Sequence, residues 1–228
     1  MVSSPSILTF DQPVCILPRP VGGAVPWYLL GPVPLFAHQA KGAASQAASY
    51  IDLVTPGTND LTPGVAPGWT ALGGWSGPGA DLRTGYVPGD GDVYLVRYAG
   101  GVLAAGGWPA GFIRTAGWVN VYGAAPCEPG GIQYYWGNAN YFAVPGLVAG
   151  VVGIGAAGQG YRAGAPDGVP PGGAWPGAGI ELFIMAANLD GGATGQWAGT
   201  VQADILWPAA SAPTNAQILT VATAMLAL

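Results

Sequence analysis

Glycine occurs 40 times and proline 22 times among 228 residues, more than a quarter of the chain, and nothing else in the sequence limits its folding as strongly. Proline fixes φ and removes a backbone donor, and glycine inside a helix costs about 1 kcal/mol relative to alanine. Long helices are therefore excluded over most of the chain. Such density of Gly and Pro also occurs in disordered chains. Nine Trp, ten Tyr and a hydrophobic content of 50% argue the other way, because a disordered chain lacks apolar surface to offset its conformational entropy. The glycines and prolines read as turns between short strands, and the length suits one all-β domain.

Beyond Gly85 the chain runs strand, turn, strand at short intervals: DVYLVRYA, GFIRTA, GWVNVYG, GIQYYWG, NYFAV, LVAGVVGIG, QGYRAG, GIELFIMAA and GTVQADILW. In GIELFIMAA, Ile180, Leu182, Ile184 and Ala186 alternate with Glu181, Phe183 and Met185, as a half-buried strand requires. Strands at this spacing predict a sandwich or barrel. KGAASQAASY, Lys41 to Tyr50, supports one short helical turn. Near the end, Thr214 and Gln217 have capping-box spacing, and Ile218, Val221, Ala222 and Met225 follow at helical intervals. This predicts a helix over Asn215 to Leu226 with that stripe packed on the sandwich.

The first forty residues are broken by Pro5, Pro13, Pro18, Pro20, Pro26, Pro32 and Pro34. The expected division is a Pro-rich N-terminal arm or first strands over 1–40 and the sandwich over 41–228. Charged residues make up 7% of the chain, against about 25% in an ordinary domain, so copies of this surface repel one another weakly. Assembly into a homo-oligomer or onto other proteins is the expectation, with Trp27, Tyr28, Leu29 and Leu30 as the arm's apolar contacts. The basic residues Arg19, Lys41, Arg83, Arg97, Arg114 and Arg162 are scattered, without the stripe that phosphate binding needs, so no nucleic-acid partner is expected.

The start, MVSSPSILTFDQPV, lacks the positive n-region of a secretory signal. The longest apolar run, Leu147 to Gly158, is glycine-rich and shorter than the ~20 residues of a bilayer span, so no membrane insertion is expected. Cys15 and Cys127 lack metal-site spacing, and whether they are bonded is open.

Three pieces of sequence resemble the laminin-G-like modules of the concanavalin A-like jelly-roll family, of the kind found in phage tail and virion proteins and in secreted bacterial proteins. They are the opening GAASQAASYIDLVTPGTNDLTPGVAPGWTALGGW, the central GIGAAGQGYRAGAPDG, and the ending from Glu181 to Met225 with its Thr-x-x-Gln helix. The resemblance spans about Gly42 to Leu228. It implies an all-β fold: an antiparallel two-sheet jelly-roll sandwich with a short C-terminal helix. Where many members carry Asn-Gly in the central turn, this chain has Arg162, Ala163 and Gly164.

Glycoside hydrolysis needs two carboxyl groups flanking the bond, and the close alternating pair of the family's glucanase branch is absent around Glu181 and Glu128. His38 has no acid or nucleophile near it in sequence and reads as a hydrogen-bonded surface residue. No catalytic residue is assigned. Aromatic faces could take a sugar, with Trp175, Trp108 and Trp136 as the expected contacts. No cofactor is required, although calcium is an option at Asn188 and Asp190 in NLDGG; that stretch and GDGD (Gly89 to Asp92) are also ordinary turn sequences. Together these readings lead to an expected non-enzymatic virion structural protein, a phage tail-fibre, tail-tip or head-decoration component located in the virion. The alternatives are an extracellular lectin-like module binding cell-surface glycan and, more distantly, a glycoside hydrolase.

Overall fold

The computed structural model describes residues 25–100, 107–115, 119–127, 131–137, 139–143, 149–169 and 179–228. In chain order the elements begin with β1 (Phe36–Gln39), α1 (Gln46–Ser49), β2 (Thr62–Val65), β3 (Gly68–Thr70), β4 (Gly74–Ser76), β5 (Asp81–Arg83) and β6 (Val93–Ala99). Next come β7 (Ala110–Thr115), β8 (Val119–Cys127), β9 (Gly131–Gly137), β10 (Ala139–Ala143) and β11 (Ala149–Ile154). The last are β12 (Gly160–Arg162), β13 (Ala165–Gly168), β14 (Phe183–Ile184), β15 (Ala187–Leu189), β16 (Gly192–Thr194), β17 (Thr200–Trp207) and α2 (Asn215–Ala227).

The strands form two sheets. The first runs β13-β12-β11-β6-β17-β4-β3, with β1 also on β17; the second runs β10-β9-β8-β7-β14-β5-β2, with β15 pairing β7 and β16. Named strands pair antiparallel except β15 with β7. The sheets stack face to face, and α2 lies on the far side of the first, so β6 and β17 sit at the middle of three layers. Their composition follows from that position. In β6, Tyr94, Val96 and Tyr98 fill the core between the sheets, while Val93 and Leu95 join the core beneath the helix. A strand buried on both faces reads as an apolar run rather than an alternation, which is why VYLV stands unbroken in the sequence.

Helix α2 forms as its sequence predicts. Thr214 Oγ1 accepts the Gln217 N–H and the Gln217 side chain accepts the Thr214 N–H, a complete capping box. Ile218, Val221, Ala222 and Met225 are fully buried against the first sheet, at about 2 kcal/mol for each large side chain. At the other end, the Arg97 guanidinium donates to the Met225 carbonyl, supplying a cation and a donor where the last carbonyls lack partners. Thr214→Ala is expected to lower stability by about 1 kcal/mol, read by urea unfolding, with Thr214→Ser restoring it.

Two segments depart from expectation. The strand predicted over GIELFIMAA is reduced to Phe183–Ile184, because Met185 adopts φ +66°. That left-handed kink breaks the alternation, and Met185 joins Ile180, Leu182 and Ile184 in the core between the sheets. In the N-terminal segment, Trp27 is buried beneath α2 in its own chain and donates to Gln39 Oε1 at 2.7 Å. Trp207 Nε1 donates to the Pro32 carbonyl and the Leu35 N–H to that of Leu206. Of the expected arm contacts, Trp27 is thus used internally, Tyr28 packs edge-on against it, and Leu29 and Leu30 are exposed. Residues 1–24, with Cys15, lie outside the described residues. No described helix is long and apolar enough to cross a membrane.

Candidate functional site

Strand β9 separates the aromatic residues by parity. Ile132, Tyr134 and Trp136 point into the core between the sheets, so Gln133 and Tyr135 take the opposite, outer face of the second sheet, where both are half-buried. Trp136 is therefore a core residue and not the sugar contact expected from the sequence. Trp108 is on the outer side yet is fully buried. It packs with Ala187, Leu189 and Tyr135, its ring centroid 4.8 Å from that of Tyr135. Gly123 lies beneath it, where an added Cβ would come within 2.7 Å of the indole. Trp175 lies outside the described residues.

The β15–β16 hairpin forms one wall of this face. It is held in place by the parallel pairing of β15 with β7 and by the Trp108 N–H donating to the Gly195 carbonyl at 2.8 Å. Asp190 at φ +47° and Gly191 at φ +95° make the tight turn that Asp-Gly favours. Asn188 is buried, donating to the Glu181 carbonyl at 2.9 Å and accepting the Gly191 N–H at 2.7 Å. Its side chain thus stabilises the turn, and among the described residues no three His, Cys, Asp or Glu side chains group as metal ligands. Asp92 in GDGD is likewise occupied, accepting from Tyr86 Oη, the Gly89 N–H and the Ala209 N–H.

What results is a half-exposed tyrosine ring braced by a buried indole, with the Gln133 amide on the same strand and Gln196 bridged to Trp108. A supported aromatic face with nearby amides suits a ligand with both C–H and O–H groups. The sequence shows Tyr134, Tyr135 and Trp136 as a run; which one faces outward depends on strand register.

Other polar groups serve the fold. Arg162 Nη2 donates to Asp167 Oδ1 at 2.7 Å, and Tyr134 Oη to Asp167 Oδ2 at 2.8 Å; burial and then Asp167 hold the Tyr134 phenol above its usual value. Glu181 Oε1 accepts the Gly85 N–H. The Arg83 guanidinium lies 5.4 Å from the Phe183 ring centroid and 3.5 Å from Asp81 Oδ2. His38 is not a surface residue: it is fully buried beside Asp204, 166 positions away in sequence.

No protein-family model matches the chain, and no curated protein sequence matches it either. Solved structures do. Trypanosoma rangeli sialidase in complex with sialic acid matches at 13% identity and a TM-score of 0.58, covering 83% of this chain and 32% of the sialidase. The same enzyme with the inhibitor DANA matches at 15% identity, again with a TM-score of 0.58, covering 90% and 34%. This chain thus spans about a third of the sialidase's length. Domain 4 of a GH43 extracellular arabinanase from Geobacillus stearothermophilus, in complex with arabinotriose, matches at 12% identity and a TM-score of 0.54, covering 82% of this chain and 100% of that domain. At such identities the likeness establishes an all-β sandwich fold. It also overturns two expectations: these neighbours are glycoside hydrolases and carry no link to phage, so neither the virion assignment nor the non-enzymatic one stands.

Proposed function

We propose that this chain is a lectin-like jelly-roll module of a carbohydrate-active protein, and that it takes oligosaccharide on the outer face of the second sheet, with Tyr135 as stacking platform and Gln133 as hydrogen-bonding partner. The observation that carries this reading is the likeness to an entire arabinanase domain that holds arabinotriose. The face described above supplies the chemistry. A sugar presents C–H groups on one side of its ring and hydroxyls around its rim, which matches an aromatic plane beside an amide. Trp108 beneath Tyr135 fixes the ring in advance, lowering the entropy cost of binding.

Calorimetric titration with arabinotriose, a sialylated trisaccharide and a panel of neutral oligosaccharides tests the reading. Binding to at least one sugar is expected, with Tyr135→Ala weakening it by about tenfold or more, equivalent to about 1.4 kcal/mol, and Gln133→Ala by less. Thr214→Ala, on the far side of the first sheet, is expected to leave affinity unchanged. Absence of binding across the panel, or affinity indifferent to Tyr135→Ala, would refute it. Following the same mixtures for new reducing ends establishes whether the module also cleaves what it binds.

A further inference from the structure

The His38–Asp204 contact has no part in the glycan face, yet it places two ionisable groups, both fully buried, in the core between the sheets. The β1–β17 register sets them directly opposite one another. Nδ1 of His38 lies 3.2 Å from each Asp204 carboxylate oxygen, and Nε2 lies 2.9 Å from the Asn59 carbonyl. A carbonyl can only accept, so Nε2 must carry a hydrogen. A ring nitrogen facing a carboxylate without a proton between them would set lone pairs against each other away from water. With Asp204 ionised, both ring nitrogens therefore donate and the ring is an imidazolium.

Asn59 belongs to a loop whose polar groups converge on the same place. Asp52, fully buried, accepts the N–H groups of Ala37, Val54 and Thr55, the Thr55 hydroxyl and the Asn59 amide. Asp60 accepts the N–H groups of Asp52 and Gly57, and Asn59 also donates to the Leu35 carbonyl. Thr55 to Thr58, at the tip, are exposed. His38 thus joins the underside of a surface loop to a central strand.

We propose that His38 is a proton-controlled latch: with both ring nitrogens protonated it ties the 52–60 loop to the β1–β17 pair, and loss of one proton releases the loop. A neutral ring has one N–H for two acceptors. The bond to the Asp204 carboxylate is charge-assisted and the stronger, so the ring keeps Nδ1–H, and Nε2 then turns a lone pair toward the Asn59 carbonyl.

The surroundings set the direction of the effect. The groups around the ring are Asp204 on β17, Asp52 and the Asn59 carbonyl on the loop, and Phe36 on β1 with its centroid 5.2 Å away. Tyr86 stands beyond Phe36, and Tyr28 is near enough to Asp52 for its phenol to be raised, by burial first and then by that charge. Burial alone disfavours the imidazolium. The Asp204 charge and hydrogen bond, the Asn59 carbonyl and the Asp52 charge outweigh it and hold His38 above the ordinary value of 6.5; burial likewise raises Asp204 against the pull of His38. Both groups bind protons more tightly in the folded state. The stabilisation from His38 is therefore complete below its unfolded value and disappears as pH rises through its folded one.

His38 is the sole histidine in the chain, so its ring signals in nitrogen NMR need no assignment. The wild type is expected to show two protonated ring nitrogens at pH 6 and to titrate above 6.5. Over the same range, amide protection at Leu53, Val54 and Thr55 is expected to fall about tenfold after correction for intrinsic exchange. In His38→Gln that pH dependence is expected to vanish. A singly protonated ring at pH 6, pH-independent protection in the wild type, or a dependence that survives His38→Gln would overturn the proposal. Should His38→Gln fail to fold, the two wild-type measurements decide it.

Discussion

Asp52→Ala is expected to destabilise the protein by about 4 kcal/mol, lowering the midpoint of thermal unfolding by about 10 °C. The size follows from how many donors the carboxylate serves. Five groups end on its two oxygens, at 2.8 to 3.3 Å, and the side chain is fully buried. Each donor left without a partner costs about 1–3 kcal/mol; those near the exposed loop tip recover part of that from water. Asp52→Asn keeps the shape but turns one acceptor into a donor facing other donors, so it should fall between wild type and alanine. Urea unfolding of the three proteins measures this, and a loss under about 1 kcal/mol for Asp52→Ala would mean that the loop re-forms its bonds elsewhere.

Gly160→Ala is expected to cost about 3 kcal/mol, at the upper end for overpacking a core with one methyl group. A Cβ on Gly160 would stand 2.5 to 2.7 Å from three atoms of the Tyr134 ring. That ring has no room to withdraw, being fully buried with its hydroxyl on Asp167. In this contact an aromatic ring of the second sheet lies flat on bare backbone of the first, so removing the ring should remove the clash. Combined with Tyr134→Ala, the glycine substitution should therefore cost far less than it does alone, a coupling that a double-mutant cycle reads directly. Equal costs in the two backgrounds would show that the strain is relieved by backbone movement.

How much of this was legible in the sequence depended on whether the signal was local. The α2 stripe and its capping box lie within twelve residues, and Ile218, Val221, Ala222 and Met225 are the residues it buries. The apolar run of β6 reflects burial on both faces, a property of the strand by itself, whereas β17, buried just as fully, carries Gln202 and Asp204 within it. Met185 departs from the alternation because nothing in IELFIMA marks one residue for a left-handed backbone; tertiary packing sets it. The His38–Asp204 pair was invisible for a different reason, since β1 meets β17 only after the whole sandwich has closed. The tryptophans fail at register: a large ring in a strand signals burial or display equally well, and only the parity of β9 around Tyr134 separates Trp136 inside from Tyr135 outside. The virion expectation rests on low charge, a Pro-rich arm, absent catalytic pairs and likeness of turn-rich segments, and the residues of such segments are chosen by backbone geometry and therefore carry fold more than role.

Glycan recognition at Tyr135 is tested most directly by amide chemical-shift mapping of the labelled protein titrated with arabinotriose and with the best sugar from the calorimetric panel. The largest shifts are expected at Gln133 to Trp136 and along the β15–β16 hairpin, with α2 and the 52–60 loop silent. Saturable shifts centred on any other surface, or none at all with any sugar, would contradict it.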